Sequence, residues 1–418
     1  MSIRNFFSSY YGLPRSVFIL FIARVIHSIG SFVYPFLTML LTIKLGYCEE
    51  IAGYYVTGVI VAGSIGLILG GKLADKFGRK KIFLILSFMS ATIFVACAFV
   101  TNPEIIPWLL IISNLFLGGV LPTINAMLAD LTSADKRKAA FSLIYLGTNI
   151  GVAIGPLIAG FLFNEYMKLL FLIDAATTYL SLILVIFLVR ETIPTKEKIM
   201  EVSNSDNRFE KPEKGNIFII LLKRPIFLIF TFISLVYVFI YSQNYFSVPI
   251  YLNEIFSEMG PKIYGSLMSV NAIVVILLTI FLINLMKNTK PIINIAFAGV
   301  LYAIGFGIFF LVSNRFLLIG LTIMWTLGEI VQTINTNVYV AENSPITHRA
   351  RFSSVVSFIT ELGFIISPII MGYFIKHFGI NNIWLPVIII SISAALMMYM
   401  LYLADSNRNN RSRKKTII

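Results

Sequence analysis

The sequence predicts an all-α membrane protein with twelve transmembrane helices in two similar six-helix bundles. Three observations support this fold class: the composition, the number of long apolar stretches and an internal repeat. The mean hydropathy is +0.87 and only 13% of the residues are charged, whereas charged residues make up about a quarter of a soluble domain. The composition therefore excludes an ordinary soluble enzyme.

A membrane-crossing helix needs about 20 mostly apolar residues, and twelve stretches of the chain satisfy this requirement. An even number of spans places both termini on one side of the membrane. The predicted spans are 16–41, 51–71, 82–101, 106–131, 139–163, 167–190, 225–252, 263–286, 291–312, 315–341, 351–375 and 382–404.

The formal net charge of +13 follows the predicted topology. Of the 33 lysines and arginines, 27 fall in segments on the same side of the twelve spans. Because short loops rich in Lys and Arg stay in the cytoplasm, both termini are predicted to be cytoplasmic in a multi-pass protein of the plasma or inner membrane. The positive charge then reflects sidedness and predicts no nucleic-acid partner.

The chain divides into two halves that resemble each other. The predicted domains are an N-terminal bundle (1–190), a cytoplasmic linker (191–224), a C-terminal bundle (225–404) and a basic cytoplasmic tail (405–418). A shift of 212 residues pairs Gly151 with Gly363 and Pro156 with Pro368. Such duplication is typical of transporter halves related by an axis along the membrane normal.

The most specific motif connects the second and third spans, and its residues are Gly71, Leu73, Ala74, Asp75, Gly78, Arg79 and Lys80. This loop resembles the cytoplasmic signature loop of the major facilitator superfamily, Gly-x-Leu-Ala-Asp-x-x-Gly-Arg-Lys. The resemblance implies two six-helix bundles around a central cavity and a conformational latch at this loop. Arg79 is placed to hold Asp75, which suits a helix N-terminus.

The fifth span repeats small residues every four positions at Gly151, Gly155 and Gly160, with Pro156 among them. Small residues permit close helix packing, and a proline bends the helix. The pattern is similar to the fifth-helix motif of the drug:proton antiporter branch, although Ala159 replaces one glycine of that motif. A generic packing helix with a kink is the alternative.

Polar and aromatic side chains recur at helical spacing on several spans, which places them on stripes. In the family that the chain resembles, these spans border the central cavity. The predicted cavity residues are Arg24, His27, Ser31, Tyr34, Asn149, Tyr237, Tyr241, Trp325 and Gln332. The aromatic members could bind a cation through their ring faces, or could simply pack.

Glu329 and Glu361 lie inside predicted spans, where a charge costs a few kcal/mol or more. Both are predicted to lie near the membrane midplane with Arg24. Desolvation favours the neutral form of a carboxyl group and a nearby arginine favours the charged form. The two glutamates are therefore the predicted proton-coupling residues, and a static ion pair with Arg24 is the alternative.

Two further pairs are predicted to act as cytoplasmic gates, Asp130 with Arg137 and its repeat Glu342 with Arg349. Helix-end capping would explain the same pattern. Asp174, near the outer end of the sixth span, has no obvious partner in the sequence.

Together, these features predict a secondary transporter that works by alternating access and exports small amphipathic compounds in exchange for protons, as in multidrug efflux. Two departures from the antiporter pattern, Asn114 before Gly118 and Arg24 on the first span, keep open a symporter or facilitator for a polar or anionic nutrient. A membrane sensor or scaffold is the alternative outside transport. No cofactor, metal or catalytic activity is predicted, and the protein is predicted to be monomeric in the lipid bilayer.

Overall fold

The structure is a computed structural model, and it describes residues 12–132, 134–192, 224–286, 288–311, 314–343 and 349–416. Within these ranges all regular secondary structure is helical. Helix numbers follow the predicted spans, and letters mark the two parts of an interrupted span. The helices are α1a (Arg15–Ile29), α1b (Leu37–Met39, continued by a wider turn over Leu40–Lys44), α2 (Glu49–Phe77), α3 (Arg79–Phe99), α4a (Ile106–Gly118), α4b (Val120–Leu131), α5 (Ala134–Leu162), α6 (Met167–Leu188), α7a (Pro225–Tyr241), α7b (Ser247–Phe256), α8 (Gly260–Met286), α9 (Pro291–Gly307), α10 (Arg315–Asn343), α11 (Arg349–Phe378) and α12 (Trp384–Thr416).

Ten stretches of the described chain are long and apolar enough to cross a membrane. One of them, Pro225–Thr279, contains both the seventh and the eighth predicted spans, α7a with α7b and α8. The first predicted span is missing from the ten because its helix is interrupted. The helices therefore agree with the predicted all-α membrane fold of twelve spans, with the first span broken.

The prediction of a continuous helix over the first span is wrong. The helix α1a ends at Ile29, and helical structure resumes only at Leu37. Pro35 has no backbone N–H and restricts the residue before it, so it disfavours a helix through this point. In the interruption, the backbone N–H groups of Phe32 and Val33 are hydrogen-bonded by the side chain of Asp174 on α6.

The fourth span is also divided, since Gly119 separates α4a, which ends at Gly118, from α4b. A Cβ atom on Gly118 would overlap the backbone of Gly63 on α2, and one on Gly70 would overlap Gly119. The two helices therefore approach at backbone distance, as small residues permit in membrane proteins. Gly70 thus lies at a close helix contact, whereas Gly71 of the signature loop has no atom nearer than 3.8 Å to an added Cβ.

The contacts between residues group the chain into two units. Unit 1 is Met1–Ser205 with Val248–Ile273, and unit 2 is Asp206–Ser247 with Val274–Ile418. The predicted domain boundaries at 190, 224 and 404 stay a prediction. Most of the predicted linker, 193–223, lies outside the described residues, and the predicted tail begins within α12, which continues as helix to Thr416.

Unit 1 is held by a buried apolar cluster contributed by α1a, α3, α4b, α5 and α6. Its fully buried members include Val17, Met127, Leu128, Ala140 and Val185. Apolar surface also faces lipid in a membrane protein, so burial of these side chains contributes through close packing rather than through removal of water. This packing holds together the helices that carry the polar residues of unit 1.

Candidate functional site

In unit 1, the first-span cation is hydrogen-bonded to the fifth span. The Nε atom of Arg24 donates to Thr148 Oγ1 at 2.8 Å, and both side chains are half-buried. One turn further along α1a, His27 Nδ1 is hydrogen-bonded to Thr178 Oγ1 of α6 at 3.1 Å. The two predicted cavity residues therefore tie α1a to two different helices of the same unit.

A small cavity lies beside this pair, with room for about one water molecule. Its polar lining consists of Arg24, His27, Ser87, Thr178 and Ser181, and apolar side chains complete it. Hydroxyl groups and an imidazole around a water-sized space can pass a proton along hydrogen bonds. The structure thus gives His27 a polar environment.

The predicted stripe on the first span does not continue past His27. Ser31 and Tyr34 lie in the interruption between α1a and α1b, so the helical spacing that grouped them with Arg24 does not apply there. The Tyr34 hydroxyl donates to the backbone carbonyl of Leu110 on α4a at 3.1 Å. Their place in a substrate cavity stays a prediction.

Asp174 has partners that the sequence did not indicate. Its carboxylate oxygen Oδ2 accepts from the backbone N–H of Phe32 at 3.1 Å and from that of Val33 at 3.3 Å. The side chain is only 1% exposed. Asp174 therefore satisfies two backbone donors that the interrupted first span leaves without a helical partner.

In unit 2, Glu329 lies among tyrosines. The Tyr241 hydroxyl is within hydrogen-bonding range of the Glu329 carboxylate, and Tyr245, whose ring centroid lies 6.1 Å from that of Tyr241, also interacts electrostatically with Glu329. Glu329 also interacts electrostatically with Tyr302 on α9. We call Glu329, Tyr241, Tyr245 and Tyr302 the tyrosine–glutamate cluster.

Further rings extend this cluster. The Tyr241 ring centroid lies 6.0 Å from that of Trp325 and 6.1 Å from that of Phe364. Phe306 stacks on Trp325 at 5.4 Å. Glu329 is half-buried, so a carboxylate within an aromatic wall remains accessible. Aromatic faces and a carboxylate are complementary to an amphipathic cation.

Three other predicted cavity residues of unit 2 are buried within it. Tyr237 donates to the carbonyl of Ile295 at 2.8 Å, and Gln332 accepts from the Tyr302 hydroxyl at 2.8 Å. Trp325 is 1% exposed. Their side chains pack between helices, so they position the tyrosine–glutamate cluster; direct contact with a substrate stays a prediction.

The remaining cavity and coupling residues lie apart from these networks. Asn149 donates to the carbonyl of Tyr145 in its own helix at 2.9 Å. Glu361 is exposed on α11 and has no hydrogen bond or ion pair with any described residue. Both glutamates belong to unit 2 and Arg24 to unit 1, and the predicted common level of the three stays a prediction.

The signature loop is a tight turn in which α2 passes almost directly into α3. Gly78 stands between them with φ +109°, a value that L-amino acids rarely adopt. The carboxylate of Glu191 accepts from the backbone N–H groups of Arg79, Lys80 and Lys81 at 2.8, 3.1 and 3.2 Å. A carboxylate at a helix N-terminus satisfies free donors and complements the helix dipole.

The guanidinium of Arg79 is paired with Asp130. Its Nε atom lies 3.2 Å from Asp130 Oδ2, and Nη1 donates to the carbonyl of Ala74 at 2.9 Å. The predicted pairing of Arg79 with Asp75 stays a prediction, because the Asp75 side chain lies outside the described part of the structure. A Cβ atom on Gly71 would have only the Pro122 side chain within 4 Å. The described ion pair thus joins the loop to α4b.

The predicted gate pairs fall largely outside the described side chains, since those of Arg137, Glu342 and Arg349 are among the residues left undescribed. The described ionic partner of Asp130 is Arg79. Gate function for these residues stays a prediction.

The glycines of the fifth span lie at close helix contacts. A Cβ atom on Gly151 would overlap Ser28, and one on Gly155 would approach the Ile29 carbonyl at the end of α1a. Gly160 lies against the backbone of Pro261, and Gly265 lies against Pro156. Both of these contacts are within unit 1.

Sequence reasoning missed Asp174, Glu191 and Tyr302 as members of polar networks. A proline and a glycine inside the first apolar stretch, Pro35 and Gly30, were a signal for an interrupted span that needs an acceptor nearby. Glu191 follows directly after the sixth span, where an acidic residue among basic ones could indicate a cap. Tyr302 gave no signal, because it is one aromatic residue in an aromatic-rich stretch.

Comparison with known proteins gives the family. The family model described as "Major Facilitator Superfamily" matches residues 18–345 and 295–417. An uncharacterized MFS-type transporter of Bacillus subtilis, YqjV, is 25% identical over 375 residues, 87% of this chain and 86% of the relative. A Na(+), Li(+), K(+)/H(+) antiporter of Planococcus maritimus is 24% identical over 81% of this chain and 84% of its own.

A shorter match covers 40% of this chain and 43% of the multidrug resistance protein MdtG of Proteus mirabilis, at 31% identity. The crystal structure of the nucleoside transporter NupG superposes with a TM-score of 0.76 over 93% of this chain and 99% of that one, at 17% identity. At that identity the match shows the fold alone. Because the family model covers nearly the whole described chain, this protein belongs to the Major Facilitator Superfamily of membrane transporters.

Proposed function

We propose that the protein exports small amphipathic cations in exchange for protons. The observation that carries this proposal is the tyrosine–glutamate cluster of unit 2. A half-buried carboxylate held by hydroxyl groups and surrounded by rings can bind a proton or an organic cation, but not both at once. Competition for one carboxylate couples the unloading of one ligand to the loading of the other.

The cluster supplies each part of this exchange. The carboxylate of Glu329 provides the charge, and the ring faces of Tyr241 and Tyr245 provide an apolar wall that tolerates substrates of different shapes. A buried charge is stable only when paired, so an empty Glu329 takes up a proton in place of the departing cation. Glu361, exposed on α11, is a second exchange site in this proposal.

The names of two relatives support this proposal. One is named as an antiporter that exchanges monovalent cations for protons and another as a multidrug resistance protein. The first name supports exchange of a cation for a proton, and the second supports transport of drug-like compounds.

Replacing Glu329 by Gln tests the proposal. In everted membrane vesicles with an imposed proton gradient, E329Q should abolish ethidium movement, because a neutral amide holds neither the proton nor the cation. E361Q shows whether the Glu361 carboxyl also exchanges a proton for the cation. The matched control E104Q alters an exposed glutamate in the connection before α4a and should retain wild-type flux.

Binding gives an independent measurement. Ethidium added to purified wild-type protein in weakly buffered solution should release protons, and E329Q should release fewer. Unchanged proton-linked flux in both E329Q and E361Q would remove the proposed exchange.

A polar or anionic substrate is the second candidate, and the hydrogen-bonded Arg24 beside a polar cavity favours it. The guanidinium of Arg24, and not the water-sized cavity beside it, would bind the anion. In that case Arg24→Ala should abolish uptake of an organic anion such as benzoate, while E329Q leaves it intact. A protein that binds a ligand but moves none of it across reconstituted liposomes would instead be a sensor.

A further inference from the structure

Asp174 is a buried acid that the proposed exchange does not use. It is 1% exposed and lies in the second turn of α6. Among the residues that the structure describes, no lysine, arginine or histidine nitrogen lies within salt-bridge distance of it. A buried carboxylate with no counter-charge is costly, and a bound proton removes that cost.

Its two oxygens have different surroundings. Both described hydrogen bonds, from the N–H groups of Phe32 and Val33, go to Oδ2. The other oxygen, Oδ1, receives no hydrogen bond from any described residue. Oδ2 thus accepts both hydrogen bonds from the interrupted first span, and Oδ1 is the oxygen that can bind a proton.

The surroundings of Asp174 are polar on one side only. Toward the C-terminal end of α6, Thr178 lies one helical turn away, is hydrogen-bonded to His27 and lines the water-sized cavity with Ser181. Toward the N-terminal end of α6, a second cavity is lined only by apolar side chains, including Val33, Leu170 and Phe171. The hydroxyl groups and His27 therefore lie toward the C-terminal end of α6 from Asp174, and apolar side chains lie toward its N-terminal end.

Few other titratable groups face Asp174. The titratable side chains of α1a nearest the interruption are Arg24 and His27, and their described hydrogen bonds go to Thr148 and Thr178. In the interruption, Tyr34 donates to Leu110, and the nearby thiol on α3 is the buried Cys97. None of these groups forms an ion pair with the carboxylate. The strength of its hydrogen bonds to Phe32 and Val33 therefore depends on whether Asp174 itself is ionised or protonated.

The contact between α6 and the break is direct. A Cβ atom on Gly30 would overlap the side chain of Thr177, which neighbours Asp174 by one turn. A shift of residues 30–36 therefore changes their contact with the face of α6 that carries Asp174.

We propose that Asp174 is a proton-binding site, and that its protonation loosens the interruption of the first span over residues 30–36. Hydrogen bonds to an ionised acceptor are about twice as strong as those to a neutral one. A proton on Oδ1 leaves Oδ2 as a neutral carbonyl, so the bonds to Phe32 and Val33 weaken together. The outer part of the first span then gains freedom to move when a proton arrives. A role of Asp174 in transport rests on the proposed proton exchange at Glu329. Proton binding by Asp174 does not depend on that exchange.

Infrared difference spectroscopy tests proton binding. The full-length protein with both E329Q and E361Q is reconstituted in lipid, and spectra are compared above about pH 6, where exposed carboxyl groups are ionised. A carboxylic-acid C=O band that appears on acidification should remain in this double variant and disappear when D174N is added. Addition of D130N, whose carboxylate is paired with Arg79, should leave the band in place.

Hydrogen exchange tests the loosening. In the wild type, amides of residues 30–36 should exchange roughly tenfold faster on acidification, after correction for intrinsic rates, because two charge-assisted bonds become neutral ones. D174N should exchange at the faster level at both pH values. The wild-type measurement stands by itself if D174N fails to fold.

The outcomes separate the two proposals. A band that persists in D174N, or no band at all in the double variant, overturns proton binding by Asp174. Exchange of 30–36 that does not respond to pH in the wild type overturns the loosening. Loss of ethidium flux in E329Q without any change in these two signals concerns the Glu329 exchange alone.

Discussion

At the scale of single residues, the protein holds two acids in different ways. Glu329 is half-buried and is held by tyrosine hydroxyls, whereas Asp174 is fully buried and is held by backbone N–H groups. A hydroxyl can turn away when a ligand arrives, but a backbone N–H moves only with its segment of chain, here the interruption of the first span. Glu329 is therefore suited to ligand exchange, and Asp174 to control of the helix conformation.

Gly78 offers a residue-scale prediction about the signature loop. G78A should lower the stability by about 1–3 kcal/mol, because φ +109° is strained for alanine and the new Cβ would crowd Glu191 Oε2. The apparent melting temperature in detergent measures this effect. The control G71A adds a Cβ with nothing nearer than 3.8 Å and should be neutral or slightly stabilising. Equal melting temperatures for both variants would contradict the proposed strain.

At the scale of helices, close backbone contact decides which elements move together. The helix α2 carries Gly63, Gly66 and Gly70 on the side that faces α4a and the start of α4b. Three such contacts along one side leave no room for sliding, so these helices form one rigid pair. The first span also packs closely, against Gly151 and Gly155 of α5. Hydrogen bonds join its interrupted part to the Leu110 carbonyl of α4a and to Asp174 of α6.

Gly66 tests the rigid pair. G66A should destabilise the protein by about 1–3 kcal/mol, since the added Cβ would overlap the backbone carbonyl of Leu115. The matched control is G320A in α10, where no atom lies within 4 Å of the added Cβ. Thermal unfolding of the two variants in the same detergent gives the comparison. A G66A protein as stable as G320A would show that α2 and α4a separate easily.

At the scale of the whole molecule, the predicted topology fixes which end of each helix meets which solution. The basic connections and both termini are predicted to be cytoplasmic. The carboxylate of Glu191 and the ion pair of Arg79 with Asp130 then lie at the cytoplasmic end of unit 1. The start of α2 lies at the opposite end.

The two native cysteines test this topology. Cys48, half-buried just before α2, should react with a membrane-impermeant maleimide in intact cells, whereas Cys97 is buried and should not. C48S should abolish the labelling, and C97S should leave it unchanged. Labelling of Cys48 only after the membrane is permeabilised would place both termini outside.

The sequence by itself determined the membrane fold, the helical class and the family. These properties follow from hydropathy and from the motif at Gly71–Lys80, which are both local patterns. Hydropathy is local because each membrane-spanning helix must form its backbone hydrogen bonds within its own segment. The number of spans could also be counted from the sequence, since lipid selects segments by length and polarity.

Only the tertiary structure decided how the polar residues are paired. The bond of Asp174 to Phe32, the cap of Glu191 on α3 and the pairing of Arg79 with Asp130 each join residues far apart in the chain. No helical or charge periodicity relates such positions, and the interruption at residues 30–36 depends on an acceptor supplied by another helix. Non-local packing sets these partners, because a side chain far away in the sequence has to be brought beside each of them.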